Sequence, residues 1–288
     1  MNENLRSILA VVDRDGNRSR RVAIKAATLA RMTGAHLQFF LCDAEAAFSL
    51  QHQYEPEVAA RAKESCLTES RRYLEELVRK LSMRDVEVSL SVACESPLYE
   101  SIVHTVRRSR PDLVIRGTAA AGPLDPNDWE LVRACPAPLL LTRGQPWKPH
   151  PLIAAAVDVS PGESEQLTRT ILRAAAGLAR AAAGTVEIMH GGRFDAALPP
   201  AFDACRAALA ERVRDAGLQG AQCHLLDGDP AEVLRECSVR RNFDLIVLGA
   251  LTHRKTLTEL VGTLTGRLIE SLDTDFLLVK ADTAAGAP

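Results

Sequence analysis

One succession of strands and helices is written twice in this chain, and that repetition restricts its architecture more than any other feature. Leu5–Asp13, LRSILAVVD, is an apolar run ending in a carboxylate, and Pro151–Asp158, PLIAAAVD, repeats it. A helical stretch follows each, Arg18–Met32 and Ser164–Ala182, both running up to a glycine (Gly34, Gly184) where a C-cap is expected. Second strands come at Ala35–Cys42 and Thr185–His190, and third strands at Val86–Val92 and Ala221–Leu226. Between them lie helical segments. The first, Glu57–Ser82, carries Ala60, Leu67, Leu74, Leu77, Val78 and Leu81 on one stripe, and the second is the shorter Ala201–Ala216. Glu95-Ser96-Pro97 and Gly228-Asp229-Pro230 then open further helices, where proline sits well because its missing N–H would be unpaired anyway. Fourth strands, DLVIRG at Asp112–Gly117 and DLIVLG at Asp244–Gly249, precede last strands at Pro138–Thr142 and Phe276–Lys280.

Strands this apolar are buried on both faces, and their alternation with helices implies parallel sheets joined by right-handed crossovers. The expected fold is α/β: two tandem open five-stranded parallel sheets flanked by helices, Rossmann-like. The expected domains are 1–143 and 152–288, with a proline-rich linker over 144–151 and a disordered tail from about 281.

Composition narrows the function. Aromatic residues make up only 4%, so the core is aliphatic, and a net charge of −2 argues against a nucleic-acid partner. The basic run Arg18–Arg21 reads as a solvated helix start. No apolar stretch reaches membrane-spanning length, and Met1–Arg6 lacks a signal-peptide layout, so a cytoplasmic location is expected. Seven cysteines, with no CxxC pair, support neither a disulfide framework nor a metal site. The seven histidines are dispersed and no nucleophile–base spacing occurs, so no catalytic residue is expected.

The stretch from Phe243 to Lys280 carries the strongest hint of a ligand. A strand ends at Gly249, a polar loop follows, and Gly262-Thr263 opens a helix bearing Leu264, Leu268, Ile269 and Leu272 at helical spacing. A strand end, a glycine loop and a helix N-terminus together form an anion site of free amides and positive dipole. Glycines at such places permit close approach of backbone to a phosphate.

The spacing Gly249, Thr252, Gly262-Thr263 resembles the G-x2-G-x9-G-S/T loop in ATP-binding members of the universal stress protein family, with threonine in place of the middle glycine. Two copies in one chain resemble the family's tandem, UspE-type members, and the stretch Asp125–Trp147 is similar to what those carry between their halves. The resemblance implies a cytoplasmic stress-response sensor or adaptor binding ATP, with or without Mg, in the second domain. It also implies an internal pseudo-dimer whose last strands meet edge to edge, capable of pairing into a homodimer, and an unidentified protein partner. Carried over by residue, Asp158 meets the base and Gly191 lines the base pocket. Gly249 and Thr252 flank ribose and phosphates, while Gly262, Thr263, Leu264 and Thr265 supply amides and hydroxyls.

A threonine at 252 resists a left-handed backbone by roughly 1 kcal/mol or more, and His253, Arg254 and Lys255 beside it offer positive charge. In the first domain Asp125 and Asp128 put negative charge where phosphate would sit. There Gly117 and Gly122 read as turns, Asp13 as a relic or cap, and no nucleotide is expected. At most, slow ATP hydrolysis or self-phosphorylation at Thr263 follows by analogy. Two other readings stand beside this one: a module for an apolar or acyl ligand in the alanine-rich interior (Ala154–Ala156, Ala174–Ala176, Ala181–Ala183), and a ligand-free scaffold.

Overall fold

A computed structural model describes residues 5–50, 55–119, 122–160, 162–194, 199–250 and 263–281. Contacts divide the chain into two compact units, with the division at Gln145/Pro146.

The first unit contains β1 (Ser7–Val12), α1 (Gly16–Thr33), β2 (His36–Cys42), α2 (Ala44–Leu50), α3 (Pro56–Lys80), β3 (Val88–Ala93), α4 (Leu98–Ser109), β4 (Leu113–Gly117), α5 (Pro126–Ala134) and β5 (Leu139–Thr142). Its strands lie in the order β3-β2-β1-β4-β5, and every neighbouring pair is parallel. The second contains β6 (Leu152–Ala156), α6 (Glu165–Ala181), β7 (Thr185–Gly192), α7 (Pro199–Asp215), β8 (Gln222–Asp227), α8 (Pro230–Arg241), β9 (Leu245–Gly249), α9 (Leu264–Ser271) and β10 (Asp275–Val279). Its order is β10-β9-β6-β7-β8, again parallel throughout. The expected five-stranded parallel sheets are therefore present in both halves.

The central strands are buried over almost their whole length: Leu9, Ala10 and Val11 of β1 and Ile153, Ala154 and Ala155 of β6 expose no surface. A strand sandwiched between helix layers contributes roughly 1.5–3 kcal/mol for each large aliphatic side chain removed from water. Small alanines in β6 let α6 lie close. The two sheets also share a pin at the strand entry. Asp112 Oδ2 accepts the amides of Arg6 (2.9 Å) and Ser7 (3.0 Å), and Asp244 Oδ2 accepts that of Leu152 (2.8 Å). The aspartate heading each DLxxxG strand thus satisfies backbone donors that would otherwise be left over at the edge. Just ahead of β6, Trp147 Nε1 donates to the buried Asp275 carboxylate at 2.8 Å.

Four expectations need correction. Gly34 caps α1 in the left-handed region at φ 69°, but the residue with positive φ after α6 is Ala183, at 49°. Gly184 is needed for a different reason: a Cβ there would stand 2.5 Å from the Pro151 carbonyl oxygen. In α3 the buried positions are Cys66, Ser70, Leu74 and Leu77, and Ala60 is exposed, because the first turns of this long helix run past the sheet cover. Helix α2 has no counterpart in the sequence reading. Asp43 Oδ1 accepts the Ala46 amide at 3.0 Å and starts it as an N-terminal cap would. Gly117 is no turn but the last residue of β4. A Cβ on it would lie 2.6 Å from Val22 Cγ2, and one on the equivalent Gly249 would lie 2.7 Å from Leu167 Cδ2. Among the described residues no helix is long and apolar enough to cross a membrane.

Candidate functional site

In the second unit the chain passes from β6 to β7 and β8 on one side, then crosses to β9 and β10 on the other. The crevice at the carboxyl ends of β6 and β9 is where this winding reverses, the place at which open α/β sheets hold ligands. Val157 keeps its sheet bond, its amide donating to Met189 O at 2.9 Å, so Asp158 is the first residue to leave the edge. The Asp158 side chain is 50% exposed, and its Oδ1 accepts the amide of Ser160 at 2.9 Å. It is not the helix cap. Ser164 fills that role, accepting the Leu167 amide. Thr168 Oγ1 donates to the Asp158 carbonyl at 3.0 Å and fixes the turn against α6.

Gly249 ends β9, and Thr265 Oγ1 donates to its carbonyl at 3.1 Å, tying the first turn of α9 to the strand end. Thr263 is the N-cap of α9: its hydroxyl accepts the Gly266 amide at 3.3 Å. No acidic residue lies in that first turn, which leaves the positive end of the dipole uncancelled. Leu264 is exposed on its outer side. One turn on, Arg267 reaches Asp229, the N-cap of α8, at 3.0 Å. Burial pushes the Asp229 carboxyl up, but the Glu232 amide and the Arg267 guanidinium outweigh it and hold it below the usual carboxylate range.

Gly191 lies on β7 with its side-chain direction occupied by α8: a Cβ would meet Val233 at 3.0 Å and Pro230 Cα at 3.2 Å. It can offer a ligand only backbone. Thr252 and Gly262 lie outside the described residues, as do His253, Arg254 and Lys255.

The corresponding corner of the first unit is filled by charge. Arg116 on β4 is 5% exposed; its Nε donates to Asp128 Oδ1 of α5 at 3.0 Å, and its Nη1 stands 3.6 Å from Asp13 Oδ2. Arg18 also approaches Asp13, at 3.4 Å, and the Asp15 amide donates to it at 2.9 Å. Asp13 is thus one member of an ion-pair cluster, and the cap of α1 is Asp15. Asp125, for its part, caps α5 by accepting the Asn127 amide at 2.8 Å. The basic run Arg18–Arg21 is not wholly solvated, since Arg18 is engaged in the Asp13 cluster.

No family model matches the chain. Curated relatives do: the sequence is 21% identical to universal stress protein E of Photorhabdus laumondii over 304 residues, 97% of this chain and 96% of that one. It is 21% identical to universal stress protein E of Escherichia coli over 299 residues, 96% of this chain and 94% of the other. A solved universal stress protein from Archaeoglobus fulgidus superposes with a TM-score of 0.73 at 13% identity, covering 97% of this chain and 98% of that one, which shows the shared fold. Over nearly its whole length this chain is similar to curated universal stress proteins of type E, and it has the universal stress protein fold.

At its strand ends the chain carries two further residues that bear on the crevices. Ile8 faces Leu113 as Ile153 faces Leu245, so Arg116 occupies the place of Leu248, and His190 that of Leu41. Arg116 was visible as the one charge in an apolar strand. His190 is buried, 1% exposed, with Nδ1 3.1 Å from the Val157 carbonyl and 3.8 Å from Asp158 Oδ1. A ring nitrogen facing a carbonyl oxygen at that distance donates, which fixes the proton on Nδ1. Phe194 packs edge-on against the ring at 5.9 Å, and Phe202 against Phe194 at 5.1 Å.

Proposed function

We propose that this universal stress protein binds ATP or a related nucleotide in its second half and works as a stress-response sensor or adaptor rather than as an enzyme. The observation that carries the reading is the convergence of Asp158, Gly249 and the Thr263–Thr265 start of α9 on the reversal point of the second sheet. In the family's ATP-binding members the equivalent aspartate contacts the adenine edge and the loop holds the phosphates. A half-exposed carboxylate accepts the exocyclic amine of adenine, and a capped helix start free of acidic residues favours phosphate. Gly191 contributes backbone, and Thr252 and Gly262 complete the loop. Mg accompanies the nucleotide as its counter-ion.

Calorimetric titration of Mg-ATP into the intact chain, Asp158→Ala and Gly262→Val tests it. Binding in the micromolar range is expected for the parent, weakened by the first substitution and lost with the second. The absence of heat from a folded parent chain would overturn the nucleotide reading.

A further inference from the structure

Away from both strand-end crevices, two of the seven cysteines share one small apolar cluster in the first unit. Cys66 projects from α3 and Cys94 follows the end of β3; both are buried, at 8% and 4% exposure, and pack together with Ala47 of α2. Ala46, Leu50 and Leu67 complete the surround. Burial above all, then the hydrogen bond to Cys66 and its charge, pushes the Cys94 thiol up to about 12. A free thiol of this kind packs as a small hydrophobe, so the cluster needs neither group for its acidity. The two sulfurs, carried by separate elements, nonetheless share one buried cluster against a single seven-residue helix.

We propose that Cys66 and Cys94 are an oxidation site, converted by a hydroperoxide into a disulfide that ties α3 to the end of β3. The chemistry takes two steps. Cys66 loses its proton and its sulfur attacks the terminal oxygen of ROOH; the S–O bond forms, the O–O bond breaks, and the alkoxide leaves with that proton as ROH. Cys94 sulfur then attacks the sulfenic sulfur of Cys66; the S–S bond forms, the S–O bond breaks, and hydroxide leaves with the Cys94 proton as water. Two thiols together give up two electrons, and the peroxide oxygens take them up. Burial pushes the Cys94 thiol up and disfavours its thiolate, so Cys94 is the resolving partner, because the first step requires a thiolate. Cover by α2 restricts access, so the reaction is slow at low peroxide and follows the opening of that short helix.

Cys42 is the natural competitor. It lies at the end of β2, opposite Ala93 in the ladder, and its Sγ donates to the Glu95 carbonyl at 3.2 Å. The test is to treat the intact chain with hydrogen peroxide, unfold it, alkylate the remaining thiols and map the peptides. Free thiols are expected to fall from seven to five, with one cross-linked peptide pair containing Cys66 and Cys94. Cys66→Ser and Cys94→Ser should each abolish it, and Cys42→Ser should leave it intact. A cross-link running to Cys42, thiols driven to sulfinic acid without any S–S bond, or seven surviving thiols would each overturn the assignment. The map of the parent chain and of Cys42→Ser decides the matter even if a serine at 66 or 94 fails to fold.

Discussion

The two halves share a ladder register, a strand-one aspartate and a strand-four glycine, yet their crevices are opposites. In the first, Asp13 faces the buried Arg116, which is held in turn by Asp128. In the second, Leu248 stands where Arg116 does, and Asp158 remains half exposed with His190 at 3.8 Å. Among the described residues, a single strand position therefore separates a corner filled by an ion-pair cluster from one with an aliphatic side chain in its place. Charge inside the first corner is satisfied by protein; in the second, the aspartate still has acceptor capacity to offer.

Giving the first half the second half's leucine is the most drastic way to break this contrast. Arg116→Leu leaves Asp128, 4% exposed, without its cation. A loss of about 3–5 kcal/mol is expected, since breaking a buried pair strands the other charge. Urea unfolding should show it, and the double change Arg116→Leu with Asp128→Leu should recover most of it. An unchanged midpoint for the single variant would mean that the cluster is not a stabilising unit.

The strand-four glycines sharpen the comparison at the next level. At Gly117 the obstructing atom is a methyl of β-branched Val22, which has little freedom; at Gly249 it is the tip of Leu167, which can swing aside. Gly117→Ala should cost about 2–3 kcal/mol and Gly249→Ala about 1 kcal/mol, both within the range for overpacking. Equal losses would refute the difference in how tightly the two helices seat.

Glu187 separates the halves in their pH response. It occupies the place of Gln38, and it meets His224 Nε2 at 2.8 Å and the Arg241 guanidinium. Burial pushes its carboxyl up, but the Arg241 and His224 bonds prevail and the value ends below 4.5. A folded-state value that is depressed contributes stability above the unfolded carboxylate range, and that contribution is lost as pH falls through the folded value. Unfolding followed below about pH 4.5 should therefore show an acid limb that Glu187→Gln flattens, while the same substitution costs about 1–2 kcal/mol near neutrality. A limb identical in both proteins would remove Glu187 from the account.

The smallest expected effect concerns the α9 start: Thr265→Val deletes the bond to the Gly249 carbonyl and should lower stability by about 1 kcal/mol, read as a shift in thermal midpoint. A midpoint unmoved by the change would show the tie to be without consequence.

Much of this was legible in the sequence because its causes are local. The apolar runs of β1, β4, β6 and β9 are sandwiched strands, and Asp229-Pro230 and Thr263 do start their helices. What escaped was tertiary. Nothing adjacent to Arg116 in sequence reveals that Asp13 and Asp128 converge on it, and the Ala183/Gly184 exchange follows from where Pro151 happens to lie. Gly191 is placed at the base pocket by family resemblance, and α8 takes the side from which a Cβ would project, so only its backbone can serve a ligand there. The short α2 was missed because seven residues give too little periodicity to register.

The strand-four glycine carries a lesson for tracing descent among such repeats. Since Val22 crowds one of these glycines and Leu167 the other, folding alone favours glycine there in either copy, more strongly in the first, whatever that copy binds. A copy that has abandoned its ligand will go on displaying the same fingerprint residue as one that has not. The two copies differ instead at its neighbour one step back, arginine in one repeat and leucine in the other.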